Sequence, residues 1–207
     1  MVAILTGDIV NSSKLTTEQR SALIGKLQQF LEVQKKTYPD LEFDMFRGDS
    51  VQIKLSQPEQ SIVLATTIRV FVLSLESDIR ISIGVGDADT AENSIKVSSG
   101  QAFTFSGHAL DNMKIRERLV FKSSSDNLDA DIRIGINMIT ALINLWTLNR
   151  TKIVLHMLLG ISRENICKKF KFCNPTLSKA LLGAGYPELK DTLDWAGNKI
   201  ASYISVC

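Results

Sequence analysis

The chain opens with a short apolar run that ends in a turn and a carboxylate. Residues 2–5 are all apolar and lead directly into Thr6-Gly7-Asp8. A continuous apolar run of this length is typical of a strand buried on both faces. Asp8 then falls at the edge of the sheet, where the chain returns to solvent. Open α/β sheets bind ligands at the carboxyl ends of their strands. Asp8 is therefore a candidate ligand-binding carboxylate, with a solvated turn residue as the simpler alternative.

The hydrophobic periodicity that follows predicts the element order βαββαβ. A capping box of Thr16 and Gln19 begins the first helix. Gly48-Asp49 lies between two alternating apolar and polar segments, which is typical of a hairpin. The predicted strands after the opening one cover about 41–45, 51–55 and 79–85, and the helices cover about 16–36 and 58–76. This order is that of the ferredoxin-like split βαβ unit, so the sequence predicts an α+β fold.

A polar stretch at 122–127 divides the remaining chain into two parts. Before it, the sequence predicts a short strand at 95–97, a helix over about 100–118 and an edge strand at 119–121. After it the pattern is helical throughout, with no strand signal. We therefore expect a ferredoxin-like domain at 1–125 and an all-helical domain at 126–207.

Charge is distributed unevenly along the 207 residues. Residues 1–125 contain 14 Lys and Arg against 15 Asp and Glu, whereas residues 144–207 contain 9 against 4. A polyanionic partner is thus expected to meet the C-terminal part. The opening run is too short for a signal peptide, and no stretch reaches the roughly 20 apolar residues of a membrane helix. We therefore expect no membrane association. Three cysteines without metal-ligand spacing suggest a reduced, cytoplasmic protein.

The predicted order places two carboxylates together. In a split βαβ unit the first strand lies antiparallel beside the third, so the end of one meets the start of the other. Asp8 ends the first strand and Asp49 begins the third. Two carboxylates this close repel each other unless a pKa shifts or a cation binds, and oxygen ligands suit Mg²⁺ or Mn²⁺.

Two motifs resemble those of the SatD family of bacterial proteins and, more distantly, the class III nucleotidyl cyclase catalytic domain. They are Thr6-Gly7-Asp8-Ile9-Val10-Asn11-Ser12 and Arg47-Gly48-Asp49-Ser50-Val51-Gln52. The segments 80–86 and 99–103 are similar to later cyclase motifs, so the resemblance covers residues 2 to about 118. It implies that Asp8, Asp49 and the carbonyl of Ile9 bind Mg²⁺ or Mn²⁺. It also implies that a nucleoside triphosphate lies near Asn11, Arg47 and Gly48.

One departure from the cyclase pattern narrows this expectation. The cyclases stabilise transition-state charge with an Asn and an Arg, and those positions are Thr104 and His108 here. Threonine has no amide, and histidine is only partly charged at neutral pH. The loss of an arginine that clamps phosphoryl charge argues against efficient cyclisation. We therefore expect a cyclase-like fold that binds a nucleotide, and leave its enzymatic activity open.

The basic tail predicts a helix-turn-helix over about 162–185. Ile166, Cys167 and Phe170 would pack its first helix, and Leu177 and Leu181 its second. Polar side chains then face outward at the start of the recognition helix, where DNA is contacted, with basic residues nearby. These DNA-binding candidates are Arg163, Lys168, Lys169, Lys171, Asn174, Thr176, Ser178 and Lys179. A plain helical bundle used for dimerisation is the alternative.

Together these features predict a cytoplasmic regulator that binds double-stranded DNA as a homodimer. Its N-terminal domain would act as a metal- and nucleotide-binding sensor. The competing hypothesis is a nucleotidyl-transfer enzyme that uses two metal-binding aspartates and has a structural tail. A third is a degenerate scaffold that binds neither ligand.

Overall fold

A five-stranded sheet lies at the centre of the computed structural model, which describes residues 1–46, 48–89 and 99–206. Its strands are β1 (Val2–Ile9), β2 (Glu42–Phe46), β3 (Ser50–Leu55), β4 (Ile79–Gly86) and β5 (Leu119–Lys122). They are ordered β2-β3-β1-β4-β5 across the sheet. Neighbouring strands are antiparallel except β4 and β5, which run parallel. The sheet is therefore mixed, and β1 lies between β3 and β4.

Eight α-helices of the described residues surround or follow this sheet. They are α1 (Thr17–Gln34), α2 (Ser61–Ser74), α3 (Gln101–Asp111), α4 (Asp126–Asn144), α5 (Leu148–Leu158), α6 (Arg163–Phe170), α7 (Asn174–Gly183) and α8 (Tyr186–Ile204). The predicted α+β class is confirmed. The predicted capping box of Thr16 and Gln19 is present at α1, and Thr147 and Ser162 cap α5 and α6. None of these helices has both the length and the apolar character needed to cross a membrane.

One face of the sheet forms the main core. Alternate residues of β1, β3 and β4 are buried there, and they belong to the same apolar cluster as the inward stripes of α1 and α2. On α1 that stripe is Leu23, Leu27, Phe30 and Leu31, the set expected from its helical spacing. Burial of these side chains removes apolar area from water, and the hydrophobic effect holds the two helices on the sheet.

The other face of the sheet is covered over β1 and β4 by α3. Gly84 of β4 makes this close packing feasible, because a Cβ there would lie 2.2 Å from the carbonyl oxygen of Ala102. Ser106 of α3 hydrogen-bonds with the Thr6 hydroxyl, and its carbonyl accepts a 2.7 Å bond from Ser82. Polar side chains of β1 and β4 are thus tied to α3 at this face.

The core continues from the sheet into the helical tail. Buried residues of α4, α5 and α8 belong to the same cluster as those of the strands. Arg69 of α2 is only 1% exposed, and it donates a 2.8 Å hydrogen bond to Asn144 at the end of α4. Lys122 pairs with Asp126 and Asp129 across the predicted linker. The domain boundary between residues 125 and 126 stays a prediction. The Arg69 hydrogen bond and the Lys122 ion pairs join residues on its two sides.

The predicted α3 was too long. It ends at Asp111 rather than near residue 118, and Asn112 stands at its C-terminal cap. The following turn is stabilised by the Arg118 side chain, which donates to the carbonyls of Ile115 and Glu117. The next residue, Leu119, begins β5. The strand predicted at 95–97 lies outside the described residues.

Candidate functional site

Asp8 and Asp49 lie at one rim of the sheet, as the sequence predicted. Asp8 is opposite Ser50 in the pairing of β1 with β3. The amide of Ile9 donates a 3.2 Å hydrogen bond to the carbonyl of Asp49. The antiparallel register therefore brings the end of β1 beside the start of β3.

The carboxylate of Asp8 forms an ion pair with Arg80, a contact that sequence reasoning missed. Arg80 is opposite Asp8 on β4, and its Nε and Nη2 lie 2.9 and 2.6 Å from the two carboxylate oxygens. The side chains are about one quarter to one third exposed. The hydrogen bond to Asp8 raises the pKa of Arg80 above its usual value, and charge attraction adds to this while burial opposes it. This is the bidentate geometry that favours Arg over Lys as a carboxylate partner.

The carboxylate of Asp49 binds hydroxyl groups instead. The Ser12 hydroxyl donates to it at 2.6 Å, and the Ser50 hydroxyl approaches at 3.5 Å. Arg20 of α1 donates a 2.9 Å hydrogen bond to the Ser12 carbonyl. The turn after β1 is thus held between the hairpin and α1.

These contacts decide how well the rim suits a metal ion. Among the described residues, no three His, Cys, Asp or Glu side chains form a group that could hold one. To bind a metal ion, the Asp8 carboxylate would have to give up its two hydrogen bonds from Arg80. The loss of that ion pair would oppose metal binding. As they stand, the side chains do not fit a resident Mg²⁺ or Mn²⁺ ion. Metal binding by Asp8, Ile9 and Asp49 stays a prediction.

The remaining candidates of the N-terminal part are exposed or undescribed. Asn11 (φ 56°) and Gly48 (φ 81°) are exposed turn residues with left-handed backbones. Arg47 lies outside the described residues. Thr104 and His108 are exposed on α3, and the Thr104 hydroxyl donates back to the Gly100 carbonyl at 3.1 Å. Among the described residues, no side-chain hydrogen bond or ion pair joins these residues to Asp8 or Asp49.

In the tail, α6 and α7 pack through the side chains that the sequence placed inside. Ile166, Leu177 and Leu181 are buried, and α5 contacts both helices. The intervening turn is closed by Lys171 (φ 55°) and by a 2.9 Å bond from the Phe172 amide to the Cys167 carbonyl. The two helices are therefore supported by a third.

The outward side chains of α6 and α7 differ in whether they already have a partner. The Cys167 thiol donates to the Asn174 side chain at 3.6 Å, and the Thr176 hydroxyl lies 3.1 Å from the Cys173 Sγ. Arg163 donates to the Ser178 hydroxyl at 2.7 Å, and Lys168 pairs with Glu164 at 2.7 Å. Among the described residues, no carboxylate pairs with three further exposed lysines, which are Lys169, Lys171 and Lys179. Asn174 and Thr176 are also exposed, and Ser178 is half-buried.

Sequence reasoning assigned no function to the cysteine at the start of α7. Cys173 is exposed and stands at the N-cap, with its Sγ 3.1 Å from the Thr176 hydroxyl. The hydrogen bond from Thr176 lowers the pKa of the Cys173 thiol below its usual value of 9.0. The helix N-terminus also favours a thiolate, because its amides carry partial positive charge. The signal in the sequence was the N-cap position before Asn174-Pro175.

The comparisons with protein families and with curated proteins identify no relative of this chain. No family model matches the chain, and no curated protein matches it. The resemblance to SatD proteins and nucleotidyl cyclases therefore depends on the four sequence motifs alone.

Proposed function

We propose that this protein is a DNA-binding regulator that contacts the duplex through α6 and α7. The observation that carries this proposal is the combination of a packed helix pair and an outward basic surface. Between residues 161 and 185 there are five basic side chains and one acidic side chain, Glu164. Such a surface attracts the phosphate backbone, and released counterions then favour binding.

Helix α7 is the candidate recognition helix. Its inward stripe is Leu177 and Leu181, which leaves Thr176, Lys179 and Leu182 on the opposite, exposed side. Hydroxyl and ammonium groups at the start of such a helix reach base edges and phosphates.

A second copy of the chain is the proposed partner of α4. Four exposed apolar residues along α4 and at its C-cap are spaced four, three and four positions apart, and they are Ile134, Met138, Ala141 and Leu145. The three large ones are 60–75% exposed. This spacing is that of a coiled-coil seam, which is self-complementary between identical helices. A two-fold dimer would present two copies of α7 to the two halves of a palindromic site.

For the N-terminal part we propose the split βαβ assignment. The antiparallel order β2-β3-β1-β4, with helices between β1 and β2 and between β3 and β4, supports it. A sensor role for this part would require a ligand that interacts differently with two states of the protein. The nucleotidyl-transfer alternative is less well supported, because Arg80 holds the Asp8 carboxylate.

The test is DNA binding by the full chain, measured by fluorescence anisotropy with a labelled duplex at several salt concentrations. We expect a steep salt dependence. Replacing Lys169 and Lys171 by Ala should reduce the slope of log K against log salt by about 2, because each lost phosphate contact removes about one unit. The matched control replaces the exposed Lys14 and Lys114 by Ala and should leave the slope unchanged. Equal losses in both double variants, or no binding by the wild type, would overturn the proposal.

A further inference from the structure

A cavity lies between α1, α2 and the end of α5. Its volume is about 770 Å³. Small-molecule sites usually enclose about 300–1,000 Å³ and are mostly apolar with a few polar groups. The volume of this cavity falls within that range.

The body of the cavity is apolar and partly aromatic. Phe30 of α1 and Phe71 of α2 stack at its wall, with ring centroids 4.1 Å apart and planes 16° from parallel. Leu158 and Ile161 line the side formed by the end of α5, and Val33 stands at the opening with 56% of its surface exposed. A ring-sized apolar group would remove this surface from water and stack in an environment that already favours aromatic contact.

The opening of the cavity is basic. Lys26 and Lys36 both line it, and both are exposed. Within residues 1–46, 48–89 and 99–206, no carboxylate pairs with either lysine. Tyr38 also lines the cavity, and burial raises its pKa above 10.0. Its hydroxyl therefore stays protonated and can donate a hydrogen bond at neutral pH.

We infer that this cavity binds a small organic anion with a ring-sized apolar body and one carboxylate or similar group. The apolar body lies beside Phe30 and Phe71, and the anionic group faces Lys26 and Lys36. An apolar body without the charge leaves the two lysines unused, and a small inorganic anion leaves the aromatic wall exposed. The apolar wall and the basic opening therefore both favour a ligand that has an apolar body and one anionic group.

The cavity also borders the turn that begins α6. Gly160 (φ 70°) ends α5, the Ile161 amide donates to the His156 carbonyl at 3.0 Å, and Ser162 then caps α6. An occupant that contacts Leu158 and Ile161 thus contacts the segment that positions α6. An effect of the ligand on DNA affinity rests on the proposed function, whereas ligand binding itself does not.

The test is calorimetric titration of the full chain with 1-naphthoate, using 1-naphthalenemethanol as the neutral probe with the same rings. We expect saturable binding of naphthoate at one site. Replacing Lys26 and Lys36 by Gln should weaken naphthoate by about 3–10-fold, since each exposed charge pair contributes modestly, and should leave the alcohol unchanged. Val33→Trp should block both probes by filling the opening. The control Lys14→Gln with Lys114→Gln should bind both as the wild type does.

Three outcomes would overturn the inference. They are the absence of saturable naphthoate binding, binding that Val33→Trp leaves intact, and equal weakening of both probes by the lysine substitutions. Thermal melting of each variant confirms that it is folded. Naphthoate binding by a chain that does not bind DNA would leave the cavity assigned and would remove only the proposed function.

Discussion

Arg80 on β4 donates two hydrogen bonds, of 2.9 and 2.6 Å, to the carboxylate of Asp8 on β1. The pair joins neighbouring strands at the rim where a metal was predicted. A carboxylate that accepts from both donors of a guanidinium has its charge compensated inside the protein. Arg80 therefore controls whether Asp8 is accessible to any other cation.

Replacement of Arg80 by Gln should make Asp8 responsive to metal. We expect the free energy of unfolding to fall by about 1–3 kcal/mol without metal, because hydrogen bonds to a charged group are lost. Mn²⁺ should then raise the melting temperature of Arg80→Gln but not that of the wild type. Differential scanning fluorimetry measures both effects, and Asp8→Asn added to Arg80→Gln should abolish the response. An equal Mn²⁺ response in the wild type would support the metal site first predicted at Asp8 and Asp49.

Asp78 is expected to be among the most sensitive positions for stability. Its carboxylate accepts from Arg69 at 3.0 Å and from Arg118 at 2.7 Å, and Arg69 is almost completely buried. Asp78→Asn leaves a buried guanidinium without its counter-charge, which should cost about 3–5 kcal/mol. Chemical denaturation measures the loss, with the exposed Asp40→Asn as control. A loss no larger than that of the control would contradict this role.

Met138→Glu should dissociate the proposed dimer. A carboxylate in the middle of an apolar seam would be buried without a partner in the associated state, while the monomer keeps it in water. We expect the molar mass measured by light scattering after size exclusion to halve. Ile115 is 91% exposed and lies outside α4, so Ile115→Glu serves as the matched control. A wild type that elutes as a monomer at all concentrations would contradict the dimer.

Cys173 offers a probe of the DNA-binding surface. Its pKa is lowered by the hydrogen bond from Thr176, so at a pH below 9.0 more thiolate is present than in an unperturbed thiol. In a Cys167→Ser, Cys207→Ser background, we expect iodoacetamide to react faster than with a model thiol at pH 7.5, and a bound duplex to slow the reaction. Mass spectrometry measures the rates. Unchanged alkylation in the presence of saturating DNA would place the duplex elsewhere.

Much of the fold could be predicted from local patterns. The Thr16 and Gln19 capping box and the alternation around Gly48-Asp49 depend on near neighbours in the chain, and both appear where expected. The end of α3 could not be predicted in this way. The turn that follows α3 is held by Arg118, whose guanidinium is bound by Asp78, 40 positions earlier.

The features of the candidate sites can also be separated into those that local sequence patterns predict and those that they do not. Sequence by itself determined that Asp8 and Asp49 meet at one rim, because strand order and direction follow from the succession of elements. It also determined the inward and outward faces of α6 and α7 through helical spacing. Only the tertiary structure decided that Asp8 is paired with Arg80 and that α1, α2 and α5 enclose a cavity. Those outcomes depend on contacts between side chains of elements that are distant in the sequence. The periodicity of apolar residues does not predict such contacts.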